Sequence, residues 1–318
     1  MKSFLTKILL FAVLLAIGAF VADYTLTKGY RKTVADEFWV WNDIFDSKIH
    51  SNVVITGSSR AWVQISPRIL DSLLNVDSYN LGINAYPFNM QDVRYKLFEK
   101  YNQKPRLIIQ TADLNLLYRQ KDPTNKRQFF PYMHEPVLRN ELKKMNGFSD
   151  FDFYVPALCY RSNLSAIYAG FTEFLGMKHL PIREYKGYKG QEKKWDGSDL
   201  DKILSGDSLV AKIDPDIMQQ FDSFLNYCKG NDIQVVMVFS PEYFKATEFT
   251  KNKDEVMDIY RSFSKKYDFP FLDYSTDSLC YDTTYFYNAM HLNKKGAELF
   301  SVKLANDIQA TGILSKKQ

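Results

Sequence analysis

The stretch Asn52–Val63, NVVITGSSRAWV, decides the fold. It opens as a short apolar run, NVVITG, with the β-branched content of a strand. The run stops at Gly57, two serines follow, and the pattern then changes to one that can open a helix. Taken alone, a glycine and two serines after a strand fit an ordinary turn better than a nucleophile. The rest of the chain has to choose between them.

Working outward, the strand-then-helix rhythm repeats. SPRILDSLL (66–74) carries a Ser N-cap candidate, a Pro in the first turn and apolar residues at helical spacing. DSYNLGI (77–83) is a second strand, PFNMQDVRYKLFEKY (87–101) a helix and PRLIIQTAD (105–113) a third strand. Alternating strands and helices joined by short loops indicate a parallel α/β sheet. The rhythm resumes with the helix DPDIMQQFDSFLNYCKGN (214–231), the strand IQVVMVFSP (233–241) and the helix KDEVMDIYRSFSKKY (253–267). A fifth strand, FPFLDYS (269–275), and a terminal helix, NKKGAELFSVKLANDIQ (293–309), complete it.

Between these halves, residues 118 to about 210 are rich in Tyr, Lys, Asn and Gly, with amphipathic pieces such as PVLRNELKKM and NLSAIYAGFTEFLG. This reads as a large, partly helical insertion over one end of the sheet, of the kind that shapes a substrate entrance. The lysines of GYKGQEKKWDGSD alternate with acids and aromatics and predict a solvated loop. A net charge of +4 over 318 residues, with no long block of like charge, points away from nucleic acid as a partner. Three cysteines, Cys159, Cys228 and Cys280, lack C-x-x-C spacing. They form neither a disulfide framework nor a zinc site, although one disulfide of unassigned pairing is open to them.

The N-terminus sets the compartment. Ile8–Ala22 is fifteen residues without a charge, preceded by Lys2 and Lys7 and ended by Asp23. Fifteen helical residues span about 22 Å, short of the roughly 30 Å hydrocarbon layer. Phe4, Leu5, Tyr24 and Leu26 extend the apolar character at both ends. Residues 1–27 therefore read as a membrane anchor, with a cleaved signal peptide as the rival and Ala16-Ile17-Gly18 as its small-x-small site. Either reading exports the remainder. Residues 28–48 read as a helical, aromatic-bearing stalk and 49–312 as the α/β domain.

Gly57-Ser58-Ser59 sits at the carboxyl end of the first strand, where open parallel sheets place their sites. A serine hydroxyl needs a base to act at neutral pH. Of the four histidines, His50, His134, His179 and His291, His291 alone lies between the last strand region and the terminal helix. That junction can face the first strand's carboxyl end.

Together, VVITGSSR, YNLGINAYP and MHLNKKGAELFS resemble, in order, the motif blocks of the SGNH (GDSL-like) hydrolase superfamily. The resemblance is nearest to its membrane-anchored, exported branch of DltD- and AlgJ/AlgX-type envelope proteins, and it covers roughly residues 49–115 and 233–310. It implies a three-layer α/β/α sandwich around a mainly parallel five-stranded sheet of the flavodoxin-like kind. It implies Ser59 as nucleophile, with Ser58 where the family has Asp, and His291 as base. The oxyanion hole would combine the Ser59 and Gly82 N–H groups with Asn115. The block G-x-N-D meets QTADLN poorly, leaving Thr111, Asp113 or Asn115 for that role. The triad acid of D-x-x-H is replaced by Asn288.

That replacement matters, because an amide supplies no charge to the imidazolium and can hold the wrong tautomer. In a Ser-His-Asp triad the swap costs about 10⁴ in turnover. Three outcomes follow: Asp282 on the preceding loop reaches the ring, a Ser59–His291 dyad works slowly, or the site binds without turnover. The implied activity is a serine esterase or O-acyltransferase on acyl esters of envelope glycans, needing no metal or cofactor. The rival is a weakened glycan-binding or assembly protein of the bacterial periplasm or cell surface, whose envelope partners are unidentified.

Overall fold

The computed structural model describes residues 1–35, 37–161, 164–177, 185–206 and 209–315. The chain forms two compact units, Met1–Asn42 with Lys121–Ile182, and Asp43–Gln120 with Arg183–Gln318. In chain order the elements are α1 (Lys2–Tyr30), α2 (Phe38–Phe45), β1 (Val53–Thr56), α3 (Ser59–Gln64), α4 (Pro67–Leu74), β2 (Ser78–Asn80), α5 (Phe88–Tyr101), β3 (Leu107–Thr111), α6 (Pro136–Leu142), α7 (Asp150–Tyr154) and α8 (Leu164–Phe174). They continue with α9 (Ser198–Ser205), α10 (Pro215–Gly230), β4 (Gln234–Phe239), α11 (Phe244–Glu248), α12 (Lys253–Tyr267), β5 (Phe271–Asp273), β6 (Phe286–Asn288), β7 (His291–Leu292) and α13 (Lys294–Ala310).

In the second unit, β1 to β5 form one parallel sheet in the order β2-β1-β3-β4-β5. These are the five strands expected from the sequence. Their β-branched residues are buried because helices cover both faces. On one face Val53, Ile55, Ile109, Val236 and Val238 pack with Leu70 of α4 and with Phe300, Leu304 and Ile308 of α13. The alternate residues Val54, Ile108, Val235 and Met237 are equally buried. Their side is layered by α5, α10 and α12, where Phe221 meets Phe88 at 4.8 Å and Phe263 at 5.4 Å between ring centroids. Burying a phenylalanine contributes about 1.5–3 kcal/mol. In this strand order the chain leaves β1 in one direction for β2 and reaches β3 on the other side. The crevice so opened lies at the carboxyl ends of β1 and β3.

The first unit holds α1, which spans 29 residues with mean hydropathy 2.5 over its best window, about 43 Å of helix. Its large apolar side chains are exposed through Tyr24, whereas Leu26, Gly29 and Tyr30 are buried. The helix runs unbroken to Tyr30, so the helical stalk expected over residues 28–48 is divided, with α2 resuming at Phe38. Val40, Trp41 and Ile44 of α2 are fully buried, which makes this stretch a packed element rather than a solvated one. Trp41 donates its indole N–H to Gln128 at 3.1 Å.

Three other expectations change. GYKGQEKKWDGSD is partly packed: Tyr188 is buried, and Trp195 lies 5.0 Å from Tyr243, ring to ring. Cys159, Cys228 and Cys280 are all free and buried. The antiparallel hairpin β6–β7 was not foreseen, because its strands of three and two residues are too short for a periodicity. His179 and the first residue of the amphipathic piece NLSAIYAGFTEFLG lie outside the described residues.

Candidate active site

The site begins where β1 ends. Gly57 has φ +150°, and a Cβ there would fall 2.0 Å from Thr111 Oγ1 and 2.8 Å from Ala61 Cβ, so only glycine lets the chain turn this tightly into α3. Ser58 is the N-cap of α3: its hydroxyl accepts from the Arg60 N–H at 3.2 Å and donates to Asp113 Oδ2. Ser59 is the first residue of α3, so its own N–H has no intrahelical acceptor. Its hydroxyl oxygen lies 2.8 Å from His291 Nε2. The two residues are 232 positions apart and meet in one cavity of about 530 Å³.

His291 starts β7. Its Nδ1 lies 2.9 Å from Asn288 Oδ1, which also accepts the Met290 N–H at 3.1 Å. That backbone donor fixes the amide, since the flipped orientation would set an NH₂ against an N–H. Asn288 Oδ1 is therefore an acceptor, Nδ1 carries the proton, and Nε2 is free to receive the Ser59 hydroxyl proton. The neutral residue holds the tautomer a base needs. The hairpin is held in turn by the Ala289 carbonyl accepting from the Tyr243 N–H at 3.0 Å and the Met290 carbonyl accepting from Gln64 Nε2 at 3.2 Å. The Tyr287 ring stacks on the imidazole with centroids 5.4 Å apart. Removal from water lowers the His291 pKa from 6.5 to about 3, and the Arg60 guanidinium pushes the same way.

Beneath Ser59 lies a buried charge cluster. Arg60, 2% exposed, donates to Glu242 Oε1, to Ser240 Oγ at 3.1 Å and to the Ser240 carbonyl. It also sits 3.4 Å from Asp113 Oδ1 and 4.7 Å from the Phe239 ring centroid. Burial raises the Glu242 pKa, Arg60 opposes that, and Asp113 adds to it. Arg60, Asp113 and Glu242 all line the cavity with Ser59 and His291.

Two expected placements are corrected. Gly82 does not line the cavity: its N–H donates to Asn80 Oδ1 at 2.9 Å, so it is not free for an oxyanion. A Cβ at Gly82 would lie 2.6 Å from the Trp62 N, so the glycine serves close packing of this loop against α3. The same loop reaches the cavity at Asn84 and Ala85, and Ala85 has φ +59° with no hydrogen bond on its N–H among the described residues. Asp282 does not reach the imidazole either. It caps the 3₁₀ turn Thr283–Tyr285, accepting from the Thr284 N–H at 2.9 Å, which holds its pKa below the usual range.

Asn115 is exposed and lines the cavity; Thr111 is fully buried in β3. Sequence reading missed Arg60, Glu242 and Ala85. A charged residue inside the apolar helix opening RAWV was the one available signal, and nothing local marked Glu242 or Ala85.

No protein-family model matches the sequence, and no curated protein matches it. Among solved structures the chain is similar to a proposed acylhydrolase of Bacteroides fragilis at 11% identity and TM-score 0.36, covering 80% of this chain and 86% of that one. It is similar to a GDSL-like lipase of Bacteroides thetaiotaomicron at 10% identity and TM-score 0.36, covering 81% and 88%. A Streptococcus pneumoniae protein described as a proposed platelet activating factor matches at 10% identity and TM-score 0.39, covering 94% and 98%. These likenesses are loose, and the chemistry is read from the site itself.

Proposed function

We propose that this chain is an exported, membrane-tethered SGNH-like serine esterase or O-acyltransferase acting on acyl esters of envelope glycans. The observation that carries the reading is the relay Ser59 Oγ to His291 Nε2 at 2.8 Å and His291 Nδ1 to Asn288 Oδ1 at 2.9 Å. In the first half-reaction Nε2 takes the Ser59 proton as Oγ attacks the ester carbonyl. The N–H groups of Ser59 and Ala85 and the Asn115 amide are the donors available to the tetrahedral oxyanion. Collapse expels the alcohol, which takes its proton from the imidazolium. The acyl-serine is then passed to water or to a sugar hydroxyl, with His291 again as base. Export and tethering rest on the apolar, exposed α1.

The test is hydrolysis of acetyl esters by the full chain, with labelling by a serine-reactive phosphonate. Ser59→Ala and His291→Ala are each expected to lower turnover by about 10³ or more, and Ser59→Ala to abolish labelling. A second reading, a crevice that binds acylated glycan without turnover, is favoured by the uncharged Asn288 beside an imidazole whose pKa is about 3. It gains if the wild-type chain is inert to ester and phosphonate alike and still retains acetylated glycan.

A further inference from the structure

The outward face of α8 has the wrong chemistry for water. Leu164, Tyr168 and Phe171 recur at i, i+4 and i+7, one stripe of the helix, and are 81%, 63% and 50% exposed; Leu175, just past its end, is 53% exposed. The residues turned inward are Ala166, Gly170 and Thr172. Phe151 and Tyr154 of α7 are exposed to the same degree. A water-facing helix would carry its polar residues outward and its aromatic ones inward.

The place of this face says what covers it. The Ala157 N–H donates to Asp23 Oδ1 at 2.9 Å, the Thr27 and Tyr160 hydroxyls are 3.2 Å apart, the Tyr30 hydroxyl donates to the Ala166 carbonyl at 2.9 Å, and Lys32 Nζ donates to the Phe174 carbonyl at 3.1 Å. Ala157, Tyr160, Ala166 and Phe174 are therefore fastened to α1 and the residues just past it from Asp23 onward, where its exposed apolar stretch ends at Tyr24. With α1 as a span, that level is the boundary between acyl chains and head groups. Basic side chains accompany the aromatic ones: Lys143 Nζ lies 5.0 Å from the Tyr154 ring centroid and Arg139 5.4 Å from it. Aromatic, aliphatic and basic residues together are the composition of an interfacial surface.

We propose that the exposed face of α7 and α8 beds into the head-group boundary of a lipid bilayer, a second membrane contact beside α1. The proposal rests on the reading of α1 as a membrane span.

The full chain in phosphatidylcholine–phosphatidylglycerol nanodiscs tests it. Single cysteines replace Leu14, Tyr154, Tyr168 or Leu299 and carry an environment-sensitive fluorophore. The three native cysteines are buried and leave little background labelling. Nitroxide lipids, shallow or deep, act as quenchers. Leu14→Cys is expected to be quenched most by the deep nitroxide, and Tyr154→Cys and Tyr168→Cys by the shallow one, at roughly twice or more the level at Leu299→Cys. Quenching at Leu14→Cys with none at 154 and 168 overturns the proposal and leaves the span intact. Blue-shifted emission at 154 and 168 without lipid quenching means a protein covers the face, and also overturns it. Absence of quenching at Leu14→Cys removes the span and the proposal with it.

Discussion

The two halves of the site are built differently. The serine half grows from the buried sheet: β1 ends at Gly57, α3 begins at Ser59, and three ionisable side chains, Arg60, Asp113 and Glu242, lie buried beneath. The base half stands outside that sheet, on the two-stranded hairpin β6–β7, and is held by hydrogen bonds from neutral groups. Charge is thus concentrated under the serine, and no carboxylate is hydrogen-bonded to the imidazole. Orientation and charge, which one carboxylate supplies together in a Ser-His-Asp triad, are here separated: Asn288 orients the ring and gives it no charge.

The largest effect that could break this contrast is on the nucleophile side. Glu242→Gln would leave Arg60 buried beside a neutral partner, and removing one member of a buried pair costs about 3–5 kcal/mol. The expected result is a clear loss of Tm with secondary structure retained. An unchanged Tm would mean that Asp113 alone satisfies the guanidinium.

Asn288→Asp sharpens the contrast on the other side. Adding a carboxylate at Nδ1, with the tautomer already correct, is expected to raise turnover roughly tenfold or more by stabilising the imidazolium. A fall in turnover would show that the neutral amide suits a different task.

The same variant has a pH signature. In the wild-type chain the unfolded imidazole takes up a proton as pH falls below 6.5, while the folded one does not until about 3. The stability contributed is complete above 6.5 and is lost as pH falls through that window. Asn288→Asp raises the folded value, so thermal melts between pH 6.5 and pH 4 should show a shallower loss of Tm, and the acid limb of kcat/KM should move to higher pH.

The smallest effect is at Ala85. Ala85→Gly relieves a positive φ of 59° and keeps the N–H. The relief and the greater freedom of the unfolded chain offset one another to within about 1 kcal/mol. Turnover should be nearly unchanged, and a large drop would mean that the alanine methyl itself contacts substrate.

What was legible in the sequence follows from the same division. The strands and helices of the sheet carry their own periodicity, so NVVITG and IQVVMVFSP could be read as buried strands from their residues alone. Ser59 and His291 lie at a strand end and before a helix start, and they could be named because the ordered blocks VVITGSSR, YNLGINAYP and MHLNKKGAELFS resemble a known family's motifs. Gly82 misled for a physical reason: a glycine can mark a free N–H or a close approach, and the structure shows its N–H donated to Asn80 Oδ1 at 2.9 Å and room for a Cβ closed off by the Trp62 N at 2.6 Å. Asp282 misled because nearness along the chain suggested reach, whereas its carboxylate caps its own turn. Arg60 and Glu242 pair across 182 positions, which no local pattern records.

By itself the sequence determined the parallel α/β architecture and the apolar N-terminal helix, because each follows from short-range spacing and residue chemistry, and the order of three motif blocks singled out the hydroxyl and the imidazole through a family resemblance. Only the tertiary structure decided that these two groups touch, that Asn288 presents its oxygen to the ring, and that a charge cluster lies under the serine. Those facts depend on contacts between residues far apart in the chain and on which way an amide is turned, and composition carries neither.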